Sequence, residues 1–153
     1  MASPSRPKLR RNSLSLALLA RERWARYLLD HNDPAGASDE FSAVLHAAAG
    51  AKTEPAARAY GGLARIALTA HDLAQADANS AAALRTLAAT TDEMDIRANP
   101  DLKMIRAEIL AALGRKAEAA ALAKTALSEA TAYDAPTSPR VAQASALVAH
   151  LSP

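Results

Sequence analysis

Apolar residues recur at helical spacing along nearly the whole chain, in seven segments separated by short polar breaks. Leu14, Ala17, Leu18, Trp24, Ala25 and Leu28 form the first stripe, broken only by Arg21, and predict a helix over about 13–30. The second segment carries Ala37, Phe41, Val44 and Leu45 on one face and stops at Gly50. The third starts near Pro55 and holds Tyr60, Leu63, Ala64 and Ala67. Gly61 and Gly62 stand in its middle, where each costs about 1 kcal/mol against alanine and marks a close approach by a neighbouring backbone. Leu73, Ala76, Ala83, Leu84 and Leu87 make the fourth segment. Leu102, Ile105, Ile109, Leu110 and Leu113 make the fifth, which Gly114 ends. The sixth, over about 116–132, turns Ala119, Leu122, Ala123, Ala126 and Leu127 inward, and the seventh carries Val141, Ala144, Val148 and Leu151. No strand-type run of Val, Ile, Thr and aromatics intervenes.

The starts of these helices are written locally. Asp33-Pro34, Thr53-Glu54-Pro55, Asn99-Pro100 and Ser138-Pro139 each pair a side-chain oxygen with a proline in the first turn. The oxygen accepts from an orphan backbone N–H, and proline has no N–H to leave unpaired there. Asp72 caps the fourth helix in the same way. The residues from Thr90 to Ala98 form a longer connector, and Tyr133 to Thr137 a loop.

Six of the seven helices fall into pairs, and the pairs share a register. Ala37, Ala76 and Ala119, early in the second helix of each pair, lie 39 and 43 residues apart. Twelve residues before each come Ala25, Ala64 and Ala107; four after come Phe41, Ser80 and Ala123, and seven after come Val44, Ala83 and Ala126. A fixed offset of small residues across a tight turn is the signature of a helical hairpin repeat, whose neighbours must stack to bury a continuous core.

This pattern resembles the tetratricopeptide repeat. The third pair matches with Ala107, Gly114, Ala119 and Ala126. The second matches with Leu63, Ala64, Ala76 and Ala83, and has His71 where that family has glycine. The first has Trp24, Ala25, Ala37 and Phe41, with Val44 in place of the last small residue. The segment from Leu113 to Val141 (LGRKAEAAALAKTALSEATAYDAPTSPRV) is similar to kinesin-light-chain-type repeats and to repeat tails of bacterial serine/threonine kinases and regulators. The resemblance implies an all-α fold: a right-handed superhelical array of three antiparallel helix pairs, over about 14–50, 53–90 and 99–132, closed by a capping helix over 138–151. It divides the chain into a flexible basic arm, 1–12, and a repeat domain, 13–153. It also implies that the first helix of each pair lines a concave groove. Glu22, Arg26, Arg58, Arg65, Met104 and Glu108 then face a partner there, with Gly61 beside them. Chaperone-binding members of the family clamp their ligand with lysine and asparagine; Glu22 and Arg26 stand in those places, so chaperone-tail binding is not carried over.

Composition supports close helix packing: half the residues are hydrophobic but only 3% are aromatic, so alanine sets the helix separations. The absence of cysteine excludes a disulfide framework and fits a reducing, cytoplasmic setting. Arg6, Lys8, Arg10 and Arg11 form a basic arm; they are four of 18 basic side chains, which leaves 14 against 16 acidic ones in the body. That balance argues against a nucleic-acid surface. No apolar run reaches the length of a membrane span. Leu14 to Ala20 follows basic residues as a signal peptide would, and Arg10-Arg11 is similar to a twin-arginine signal, but no cleavage site follows and Arg21-Glu22-Arg23 comes at once. Arg10-Arg11-Asn12-Ser13 resembles a basophilic kinase substrate; the simpler reading makes Ser13 the N-cap of the first helix.

Catalysis finds no constellation. His31, His46, His71 and His150 have no zinc-ligand spacing, and His31 and His71 sit at inter-helix turns facing helix C-termini. Asp92-Glu93-Met94-Asp95 lacks the glycine and final glutamate of a calcium loop. Phosphate loops, nucleophile elbows and dinucleotide fingerprints are missing. Trp24 and Phe41 are expected in the core of the first hairpin. The expectation is a non-enzymatic protein–protein interaction scaffold or adaptor without catalytic residues, metal or cofactor, binding a protein or peptide as a monomer or weak homo-oligomer. The alternative is a structural or oligomerisation module that packs on another copy or on a neighbouring domain.

Overall fold

The computed structural model of the chain describes residues 6–90 and 99–152, with side chains from Leu14 onward. Among the described residues all regular structure is helical: α1 (Arg6–Asp30), α2 (Pro34–Ala48), α3 (Glu54–Thr69), α4 (Leu73–Ala88), α5 (Asn99–Ala112), α6 (Lys116–Tyr133) and α7 (Pro139–Leu151). The caps act as local chemistry requires. Asp33 Oδ1 accepts from the Gly36 N–H at 2.9 Å and Asp72 Oδ1 from Gln75 at 3.0 Å. Thr53 and Ser138 hydroxyls accept from Ala56 and Val141 at 3.4 and 3.2 Å. The N-cap of α6 is Arg115, which offers no acceptor; its guanidinium instead forks onto Glu118, Nε to Oε1 at 2.8 Å and Nη2 to Oε2 at 2.6 Å.

One boundary differs from the sequence expectation. α1 begins at Arg6 rather than near Ser13, because Pro7 falls in a first turn that tolerates it and no breaker follows before Asp30. Ser13 therefore lies inside α1 and is not an N-cap. The acidic cluster at 92–95 lies outside the described residues.

Within each pair the turn is built the same way. Asn32, His71 and Gly114 take left-handed φ values of 62°, 60° and 79°. The following N–H reaches back five residues: Asp33 to the Leu28 carbonyl at 2.9 Å, Asp72 to Ala67 at 2.9 Å, Arg115 to Leu110 at 2.8 Å. That bond closes a Schellman-type end and turns the chain straight into the next N-cap. The three left-handed residues follow Ala25, Ala64 and Ala107 at one constant offset, so the structural repeat has the register of the small residues. The counterpart of His71 is thus Asn32, not His31. His31 sits one position earlier, with its Nδ1 2.8 Å from the Tyr27 carbonyl at the end of α1.

Each helix packs on the next, most extensively within the pairs α1–α2, α3–α4 and α5–α6. The odd helices also touch one another along the row, α1 with α3, α3 with α5, and α5 with α7, whereas the even ones do so far less. The odd helices thus form the more closely drawn layer. Ala25, Ala37, Ala64, Ala76, Ala107 and Ala119 are all fully buried, as residues at close crossings must be. Phe41 is fully buried against Gly62, and Gly61 receives Leu102. Both glycines admit side chains of α2 and α5 rather than a backbone. Polar ties join the layers too: Arg21 Nε and Glu40 Oε2 lie 2.7 Å apart between α1 and α2, Lys103 pairs with Glu129 between α5 and α6, and Arg106 spans from α5 to α4. Arg106 Nη1 donates to the Asp77 carboxylate, to the Asp77 carbonyl at 3.1 Å and to Ser80 Oγ at 2.9 Å.

Trp24 corrects the sequence reading. It is 52% exposed and stacks on Tyr27, with ring centroids 5.2 Å apart, and Tyr27 stacks in turn on His31 at 3.9 Å. The buried stripe of α1 runs through Leu18, Glu22 and Ala25 to Leu28 and Leu29; of the stripe read from the sequence, Leu18, Ala25 and Leu28 pack there, whereas Leu14, Ala17 and Trp24 are exposed.

Candidate functional site

The odd helices wall one open cavity of about 1080 Å³. Glu22 and Arg26 come from α1, Arg58 and Arg65 from α3, and Met104 and Glu108 from α5, so all six residues assigned to the groove from the sequence line the same space. Gly61 does not; its neighbour Gly62 takes the wall position. The reason is helical phase: Gly61 faces Leu102 on α5, and the absent side chain of Gly62 leaves the Phe41 ring as floor. Met104 is only 7% exposed and packs with Ala126 and Ala144, so it serves the core more than the cavity. α7 closes the far side with Gln143, Leu147 and His150.

Beside the cavity, one ion pair lies within α1 and a separate set links α3, α5 and α7. Arg26 Nε lies 3.0 Å from Glu22 Oε1 on α1. On α3, Arg58 Nε donates to Glu54 Oε1 at 2.5 Å, and its Nη1 lies 3.6 Å from Asp101 Oδ2 on α5. Asp101 Oδ1 is 3.0 Å from Arg140 Nε on α7, and Arg140 Nη1 is 3.4 Å from Asp134 Oδ2. Glu54, Asp101, Arg140 and Asp134 were not picked out from the sequence. Glu54 and Asp101 lie in the first turns of α3 and α5, where acids suit the helix dipole, whereas Asp134 caps the end of α6 and Arg140 opens α7; nothing in spacing alone shows that Arg58, Asp101 and Arg140 meet across helices.

Glu22 is the anomaly in this row. Its side chain is wholly buried, and neither carboxylate oxygen accepts a hydrogen bond among the described residues. Arg26 is near, but its Nε–H is not directed at the oxygen, so the pair is coulombic without being a hydrogen bond. Burial raises the Glu22 carboxyl above its ordinary range, and it outweighs the lowering by Arg26, Arg58 and Arg23; Glu54 adds to the rise. A buried carboxylate normally takes several donors, so this one is left under-served.

Glu108, on the α5 wall, is also raised, by desolvation, against the opposing pull of Arg65. Its surface is exposed, so its partial desolvation comes from the cavity walls rather than from enclosure. The site therefore combines exposed guanidiniums, two carboxyls biased towards their neutral form, and an apolar floor of Phe41, Leu102 and Met104. Such a set suits recognition through hydrogen bonds and ion pairs. No three His, Asp or Glu side chains among the described residues are grouped to hold a metal ion, and no described helix is long and apolar enough to cross a membrane. No protein-family model, curated protein or solved structure matches the chain.

Proposed function

We propose that this chain is a non-enzymatic helical-repeat scaffold of tetratricopeptide type, acting in the cytoplasm, that binds a partner protein or peptide in the cavity along its odd helices. In this reading the three pairs form a right-handed superhelix with α7 as its cap. The observation that carries it is the meeting of Glu22, Arg26, Arg58, Arg65, Met104 and Glu108, from three different helices, on one open cavity. Support also comes from the common turn geometry at Asn32, His71 and Gly114, which gives the pairs one repeating design. Mixed charges over an apolar floor fit an extended peptide, whose backbone and side chains offer donors and acceptors along their length.

The test is capture from a native lysate by the wild-type chain and by an Arg26→Glu, Arg65→Glu variant of equal helicity. Partners whose capture changes between the wild type and the variant support groove binding; equal capture refutes it. The second reading, packing on a copy or a neighbouring domain, is favoured by one feature. Leu14, Leu16, Trp24 and Tyr27 of α1 are large apolar side chains that are all about half exposed or more. Sedimentation showing a dimer that Trp24→Ala dissolves would establish that reading instead.

A further inference from the structure

Building on the reading of the cavity as a partner groove, we propose that Glu22 is its anchor for a cationic side chain, an arginine or lysine of an extended basic peptide, and that Arg26 is the displaceable cover of that anchor.

The argument starts from what each charge already has. Arg58 is engaged by Glu54 at 2.5 Å and reached by Asp101 at 3.6 Å, so little of it is left for Glu22. Asp101 has Arg140 as well, at 3.0 Å. The cavity lining carries four arginines against four carboxylates, so its charge is balanced and what is unmet is hydrogen bonding rather than net charge. That demand falls on Glu22, where burial is complete and both oxygens lack a donor. An exposed guanidinium loses little by keeping its water, whereas a buried carboxylate without donors gains from any group that supplies them. The ligand with most to offer is therefore a donor cation, and a guanidinium offers a planar fork that matches both empty oxygens.

Arg26 fits the role of cover. Its side chain is half exposed and Glu22 is not, so the guanidinium lies on the solvent side of the pair. A half-exposed partner of that kind is held weakly and moves aside at small cost. The cavity of about 1080 Å³ leaves room for an incoming side chain. Glu108, desolvated on the opposite α5 wall, adds a second acceptor facing the same space.

The experiment uses the full chain and fluorescein-labelled alanine-based peptides that differ only in carrying arginine, glutamine or glutamate. Binding is followed by anisotropy at low salt, with circular dichroism to establish equal helicity of every variant. The arginine peptide should bind about tenfold tighter than the glutamine peptide. Glu22→Gln should reduce it to the glutamine level, without unfolding the chain, since the variant removes a buried charge. Arg26→Ala should tighten it, because the competing internal cation is gone. Tightest binding of the glutamate peptide, or weaker arginine binding by Arg26→Ala, would overturn the anchor while leaving a peptide groove in place. Equal or absent binding of all three peptides would overturn it too, and the lysate capture with the Arg26→Glu, Arg65→Glu variant would decide the groove by itself.

Discussion

Adjacent glycines in the middle of α3 are expected to respond to alanine in opposite ways. Both sit inside a helix, so each gains helix propensity on becoming alanine, about 1 kcal/mol. What separates them is the neighbour that a methyl group would meet. At Gly61 the nearest atom is Leu102 Cδ2, 2.5 Å from the new carbon, with Ile105 Cδ1 next at 3.6 Å. Leu102 Cδ2 is the end of a branched side chain that can rotate away, so Gly61→Ala should range from neutral to about 1 kcal/mol stabilising. At Gly62 the new carbon meets the Phe41 ring, 2.8 Å from Cδ2 and closer still to Cε2 and Cζ. Three ring atoms cannot yield independently, and the ring is fully buried among Leu18, Ala25, Val44 and Ala59. Overpacking of that kind costs about 1–3 kcal/mol, which meets or exceeds the propensity gain. Gly62→Ala should therefore be the less stable of the two by about 1–3 kcal/mol.

Urea unfolding followed by far-ultraviolet circular dichroism measures both variants against wild type under one protocol. The control is Gly62→Ala combined with Phe41→Leu. The smaller side chain makes room for the methyl group, so the double variant should lose less than the sum of the single losses, a positive coupling between neighbours in contact. If Gly62→Ala proves as stable as Gly61→Ala, the phase of α3 against α2 is wrong, and with it the assignment of Phe41 as the cavity floor.

Three further outcomes follow from individual side chains. Glu22→Gln should stabilise the chain at pH 7 and not at pH 3, measured by urea midpoints: the folded carboxyl binds its proton more tightly than the unfolded one, so its penalty is absent below the ordinary value of 4.5 and grows as pH rises through the folded value. An equal gain at both pH values would show that charge is not the cause. Arg106→Ala should cost about 1–2 kcal/mol, after discounting for the 42% exposure of Asp77, and should raise amide exchange at the α4–α5 junction; unchanged exchange there would refute the clamp. Ala49→Gly should gain up to about 1 kcal/mol in thermal unfolding, because Ala49 closes α2 at φ 48°, a left-handed conformation that strains any side chain with a Cβ; a loss would mean the α2 end is not left-handed.

Legibility in the sequence tracked how local each cause is. Asp33, Thr53, Asp72 and Ser138 act within three residues of themselves, and their helices begin where the sequence places them. The hairpin register was also legible, because Ala25, Ala64 and Ala107 each stand at a fixed distance from a turn and a partner helix. The phase of α1 was not. A terminal helix has one face packed and one without a neighbour, and Leu14, Leu18, Trp24 and Leu28 offer apolar residues to both. Periodicity then points to Trp24 among the larger side chains, whereas packing selects Leu18, Ala25, Leu28 and Leu29. The links from Arg58 to Asp101 and from Asp101 to Arg140 were beyond reach for a different reason: they run between helices, and sequence spacing carries no sign of them, unlike the i,i+4 pairs Glu22–Arg26 and Glu54–Arg58. Counting from the crossing alanines found the cavity walls because that count follows one helix at a time.

The same count sets Glu22 apart from its counterparts in the other two hairpins. Three residues before the crossing alanine of each odd helix stand Glu22, Gly61 and Met104, all buried. Two of the three hairpins are thus built with an uncharged residue at that place, packing on Leu102 in one case and on Ala126 and Ala144 in the other. The architecture asks for no carboxylate there, and burial of this one raises its affinity for a proton, so it opposes folding at neutral pH. Arg26, one residue after Ala25, does not remove that cost, since it leaves both oxygens without a hydrogen bond. Stability alone would favour leucine or methionine at this position, in a stripe that already runs Leu18, Ala25, Leu29. On the proposed anchor reading, a residue that the packing does not need and that the electrostatics disfavour is accounted for by what enters the cavity beside it, and the Glu22→Gln variant tests that reading: it should gain stability and lose the cationic peptide together.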